Sequence, residues 1–139
     1  MRNGGAIPAT AIRPRAPCRR HGNGSRGSPA YPHFALAFVE GKVSGLASVA
    51  IAHSGIDLEW LLFLKDLFVR DKARNAGVGR ALISFLAGHC RREGIGRIDL
   101  TTEDWNEGAL RFYDGLGAER HGLRLFLRLS DEALGAVNL

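Results

Sequence analysis

A chain of 139 residues with 45% apolar and 24% charged side chains can bury one core, and its composition excludes a fibrous, disulfide-stapled or wholly disordered protein. The net charge of +5 would suit a nucleic-acid module, but it is unevenly placed: six arginines (Arg2, Arg13, Arg15, Arg19, Arg20, Arg26) and no acid fall within residues 1–33. That leaves thirteen of the nineteen basic side chains beside all fourteen acids.

The cysteines Cys18 and Cys90 and the five scattered histidines have neither disulfide nor metal spacing, so no metal is expected and a reducing compartment is. No apolar run is long enough to cross a bilayer, and no signal-peptide core opens the chain; a cytoplasmic protein fits. Residues 1–32 read as an Arg/Gly/Pro-rich head, too poor in apolar side chains to offset its ordering entropy. Within it the stretch from Arg15 to Pro32 has breakers and no helical period.

From residue 33 to 139 the pattern is that of one α/β domain. His33–Val39 and Val43–Ala52 are predicted strands joined by a turn at Glu40-Gly41-Lys42. The chain turns again at His53–Asp57 and runs as a third strand from Leu58 to Val69, its apolar run broken by Lys65 and Asp66. Val78, Leu82, Phe85 and Leu86 recur at helical spacing, in a helix that stops near Arg92 on basic residues and Gly94. Arg97–Thr102 is the next strand. Asn106 can cap a further helix with the stripe Ala109, Leu110, Phe112, Tyr113 and Leu116, which Gly117 ends. Leu123–Leu129 alternates as a last strand, and Asp131–Leu139 is a short helix or frayed tail.

The chemistry is to be sought between the third strand and its helix, in R-N-A-G-V-G-R, Arg74 to Arg80. A helix start leaves its first backbone N–H groups unpartnered at the positive end of the dipole, and glycines there let an anion approach the backbone. Arg74 and Arg80 flank the loop and add charge-assisted contacts. Spacing rejects two common phosphate cradles. A dinucleotide fingerprint needs a small residue three positions after Gly79, where Leu82 stands. A P-loop needs Lys-Ser/Thr after that glycine, where Arg80-Ala81 stands. What remains is Arg-x-x-Gly-x-Gly, met by Arg74, Gly77 and Gly79, with a tight turn as the plain structural reading.

This segment resembles the acyl-CoA-binding motif of the GNAT superfamily of N-acetyltransferases. A second block, D-W-N-E-G-A-L-R-F-Y-D-G-L-G-A from Asp104 to Ala118, is similar to the spermidine/spermine and thialysine acetyltransferase branch, and the two matches span roughly Val39 to Leu129. The resemblance implies an acyl-CoA N-acyltransferase fold, a mixed and mostly antiparallel sheet flanked by helices. It implies acetyl-CoA as co-substrate and a primary amine of a small molecule or peptide as acceptor. GNAT domains usually open with a strand, of which the resemblance makes Thr10–Arg13 a remnant, followed by two helices that supply much of the acceptor pocket. Those helices are not legible here: either they are lost, or the start of this reading frame is not that of the natural chain.

By the same resemblance Leu67, Phe68 and Val69 line the pantetheine arm, and Arg74, Asn75, Ala76, Gly77, Val78, Gly79 and Arg80 hold the pyrophosphate. Asn106, Ala109 and Phe112 contact the cofactor from the later helix. The amine attacks the thioester directly in a ternary complex, with a backbone N–H near Phe68 or Val69 as oxyanion donor. Tyr113 matches the family's acid; a phenol of pKa about 10 stays protonated at neutral pH and can donate to the departing thiolate. Its structural counterpart is a core tyrosine bonded to a carbonyl. Asp66 and Glu103 are the candidate bases. The polyamine branch carries acids where this chain has Lys65 and His121, so the acceptor stays an unspecified amine. A non-catalytic acyl-CoA-binding domain is the alternative, and the resemblance allows a homodimer through sheet edges.

Overall fold

The computed structural model describes residues 9–14 and 33–137. They form two compact units, one up to Thr101 and one from Thr102. The expected unstructured head therefore lies mostly outside the described residues, but Ala9–Pro14 is a strand, β1, which contains the anticipated remnant Thr10–Arg13.

The first unit is built on a five-stranded sheet in the order β1-β2-β3-β4-β5, with β2 at His33–Val39, β3 at Lys42–His53, β4 at Trp60–Val69 and β5 at Arg97–Leu100. The β1–β2, β2–β3 and β3–β4 pairs are antiparallel, and β5 returns parallel to β4. Such a return needs a crossover, which helix α1, Val78–Glu93, supplies. The β2–β3 hairpin closes through Glu40 at φ 50° and Gly41 at φ 74°, two left-handed residues in succession, which suit the twist of the strands they join.

One face of the sheet and one stripe of α1 make the core. Ala35, Ala37, Ala47, Val49, Leu62 and Leu64 are buried on the sheet, and Val78, Leu82, Leu86 and Cys90, each four residues after the last, are buried on the helix. Small strand residues let α1 sit close. A Cβ on Gly45 would come within 2.7 Å of Val78 and 3.0 Å of Leu82, so this glycine is a packing requirement. Gly94, at φ 68°, ends α1 with its N–H bonded to the Cys90 carbonyl, as the glycine stop implies.

The second unit holds α2, Glu107–Gly115, and α3, Asp131–Ala136. Two expectations need correction. The strand placed at Arg97–Thr102 ends at Leu100, and the strand placed at Leu123–Leu129 does not form. Alternation gives that stretch two chemically distinct faces. A strand also needs a hydrogen-bonded ladder, and among the described residues this stretch has no strand partner.

Candidate functional site

Two departures from a regular sheet shape the end of β4. The register with β3 runs from Val49↔Leu64 to Ser48↔Asp66, leaving Lys65 as the extra residue of a β-bulge. The inward–outward alternation breaks there, and Lys65 and Asp66 are both exposed. The break in the apolar run is thus a bulge, not a strand end. The second departure is that β5 pairs only with Leu61–Leu64. Beyond Leu64, β4 keeps β3 on one side and has no strand on the other, among the described residues.

The backbone groups that face this open edge follow from the alternation of an antiparallel ladder, in which one residue's N–H and C=O point the same way. Arg70 N–H donates to the Ser44 carbonyl on β3 at 2.9 Å. The Phe68 carbonyl also faces β3, 3.3 Å from where a Gly45 Cβ would stand. The Val69 carbonyl turns outward and accepts from Arg74 Nε at 3.3 Å. Val69 and Leu67 therefore present their polar groups to the open edge, and Phe68 spends its own within the sheet.

The edge leads into the loop. Asp71–Ala73 is a single 3-10 turn, and Asn75 at φ 61° and Gly77 at φ 85° bend the chain into α1. Asparagine tolerates that conformation, and glycine adopts it without steric cost. Gly77 is the N-cap and offers no side chain, and the first helical bond runs from Ala81 N–H to the Gly77 carbonyl at 2.9 Å. The N–H groups of Val78, Gly79 and Arg80 thus precede any intrahelical partner. Nothing lies within 4 Å of a Cβ built on Gly77, so the space before it is open.

Exposed Arg70, Lys72, Arg74 and Arg80 surround this start, with Asp71 the one carboxylate in the loop. Arg74 rests on Asp71 at 3.0 Å. An exposed pair of this kind contributes at most about 1 kcal/mol, so a bound anion can recruit the guanidinium. Asn75 and Ala76 are exposed within the same turn. A cavity of about 620 Å³, lined by His33, Ile51, Trp60, Phe85, His89 and Ile95 among others, belongs to the far end of α1, roughly three helical turns from the loop.

The other anticipated residues belong to the second unit. Asn106 caps α2, its Oδ1 accepting from the Ala109 N–H at 3.1 Å, which leaves its amide NH₂ available. Ala109, Leu110, Phe112 and Tyr113 are the half-buried stripe of α2, as their spacing implies, and Leu116, its C-cap, continues that stripe. The Phe112 and Tyr113 rings meet edge to face at 5.1 Å, and burial pushes the Tyr113 phenol above its ordinary pKa. Glu103 lies three residues past the end of β5, exposed, with its carbonyl accepting from the Asn106 N–H at 3.1 Å. The first unit thus assembles Asp66, Leu67, Phe68, Val69 and Arg74 through Arg80; Glu103, Asn106, Ala109, Phe112 and Tyr113 stand in the second. Two contributors escape a reading of the sequence: the bulge, signalled only by consecutive charges inside an apolar strand, and Gly45, signalled only as a glycine amid a strand.

A cationic, glycine-started helix fed by an open strand edge is a site suited to an anionic ligand with an extended arm. The acetyltransferase (GNAT) family model matches residues 9–118, and the chain belongs to that family. It is 32% identical over 76 residues to L-ornithine N5-acetyltransferase NATA1 of Arabidopsis thaliana, covering 55% of this chain and 33% of that protein. It is also 32% identical over 85 residues to a thialysine N-epsilon-acetyltransferase of Caenorhabditis elegans, covering 59% and 51%. These matches span between a third and a half of the relatives' lengths. Among solved structures, an integron cassette protein from the mobile metagenome of V. cholerae superposes with a TM-score of 0.69 at 30% identity, covering 75% of this chain and 64% of that one.

Proposed function

We propose that this chain is an acetyl-CoA-dependent N-acetyltransferase, moving an acetyl group to a primary amine of a small molecule or peptide by direct attack in a ternary complex. The observation that carries the proposal is the open β4 edge, free of a second strand beyond Leu64 among the described residues, running into the start of α1, which no side chain caps. The edge suits the amides of a pantetheine arm, and the amides of Val78, Gly79 and Arg80 with the surrounding arginines suit a pyrophosphate. Relatives named for the N5 of ornithine and the N-epsilon of thialysine support an amine acceptor.

In the proposed reaction the amine nitrogen attacks the thioester carbon, the C–N bond forms and the C–S bond breaks. The outward N–H groups of Val69 and Leu67 are the oxyanion donors, which makes them better candidates than Phe68. Asp66 or Glu103 takes the amine proton, directly or through water, and Tyr113 donates to the departing thiolate. The Tyr113 phenol, raised by burial, is protonated at neutral pH as a donor must be, a condition that an unshifted phenol meets as well. Holding two reactants in register supplies roughly 7–11 kcal/mol of barrier reduction, so few protein groups are needed.

The test is thiol release from acetyl-CoA across a panel of amines, beside the shift in melting temperature that acetyl-CoA alone produces. Amine-dependent release supports the transferase. A thermal shift without turnover on any amine would leave an acyl-CoA-binding domain, and no shift would remove the cofactor assignment itself.

A further inference from the structure

We infer that Lys65 selects acceptor amines that also carry a carboxylate over diamines that lack one; this rests on the acetyl-transfer reading above. The bulge makes the inference possible. In a regular strand Lys65 and Asp66 would point to opposite faces, one of them into the core. The extra residue instead leaves both exposed, as consecutive positions carrying opposite charges. They are also unspent: among the described residues neither makes an ion pair or a side-chain hydrogen bond.

Their place matters as much as their freedom. Lys65 is the first residue of β4 past its pairing with β5, where the open edge begins. At about 3.3 Å per residue it stands roughly 13 Å back along the strand from Val69, away from the loop's cations. The neighbouring Asp66 matches the amine, as base or counter-charge, and the Lys65 ammonium matches an anion on the same molecule. A second ammonium, as in a diamine, would meet Lys65 as a like charge. A molecule with an amine and a carboxylate satisfies both residues, and a diamine that lacks the carboxylate satisfies one.

The experiment is calorimetric titration in two stages. CoA is first titrated into the protein; then L-ornithine and putrescine, which differ only in the carboxylate, are titrated separately into the CoA complex of the wild type and of Lys65→Glu and Lys65→Gln. The expected result is ornithine binding at least about tenfold tighter than putrescine in the wild type, a preference lost in Lys65→Gln and reversed in Lys65→Glu. Equal affinity for both amines, a preference untouched by either variant, or no binding of either amine to a protein that binds CoA overturns the inference and leaves the cofactor site standing. Failure of CoA to bind in the first stage overturns the underlying reading, and this inference with it.

Discussion

Tyr113 and Gly77 are single residues whose chemistry is fixed locally. Burial raises the phenol of Tyr113 above its ordinary value, so its proton is retained at neutral pH. If it serves as the acid, Tyr113→Phe lowers kcat in the thiol-release assay by about 10²–10⁴-fold, the usual worth of a positioned acid, and leaves the acetyl-CoA thermal shift in place. A full rate in that variant would remove the assignment. Gly77 holds φ at 85° with open space where a Cβ would stand, so any substitution there acts through backbone strain and not through a clash. Gly77→Ala is expected to cost about 1–2 kcal/mol in urea denaturation, the penalty of a left-handed L-residue, and to reduce the thermal shift given by acetyl-CoA. An unchanged shift would show that this turn does not shape the anion site.

Pairs of elements set the next level, and Gly45 shows how. Its absent side chain lets Val78 and Leu82 of α1 lie against β3, and Val78 is the first residue of the helix whose N-terminus is proposed to hold the pyrophosphate. Gly45→Ala is expected to destabilise the protein by about 1–3 kcal/mol, the range for overpacking a filled core, as read by the denaturation midpoint. A neutral result would mean that α1 shifts at little cost. The β4 bulge acts on the same scale: one extra residue against β3 brings two charges to the surface side by side. Asn106 belongs here too, since its cap on α2 is seen directly and its NH₂ stays available to a further partner.

Across the whole molecule, charge sets the response to acid. The Asp57 carboxyl is held at about 2 by the Ser54 hydroxyl first and the Arg97 guanidinium second, and Arg97 also bonds Asp99 at 3.2 Å. In the second unit Asp114 is lowered by its two hydrogen bonds to Arg120. A carboxyl whose folded pKa lies below its unfolded value of about 3.9 contributes stability that is complete above that value and is lost as pH falls through the folded one. Stability should therefore decline between about pH 4 and pH 2. Arg97→Gln should flatten part of that decline, which denaturation melts at pH 5, 3 and 2 would measure. An identical acid profile in the variant would show that Arg97 does not hold Asp57 down.

What the sequence determined by itself is what short-range physics encodes. The apolar repeat fixed α1, successive turn residues fixed the β2–β3 hairpin, Gly94 fixed a helix end, and Arg-x-x-Gly-x-Gly marked the loop where α1 begins. Each depends on neighbours within a few positions, so a linear reading reaches it. The strand expected at Leu123–Leu129 failed for the opposite reason: alternation describes faces, and a ladder needs a partner distant in the chain. The bulge at Lys65, the edge opened where β5 stops at Leu100, the outward turn of Val69 in place of Phe68, and the closeness of Gly45 to α1 are matters of register between strands. Register is an agreement between segments far apart in sequence, and only the folded chain records it.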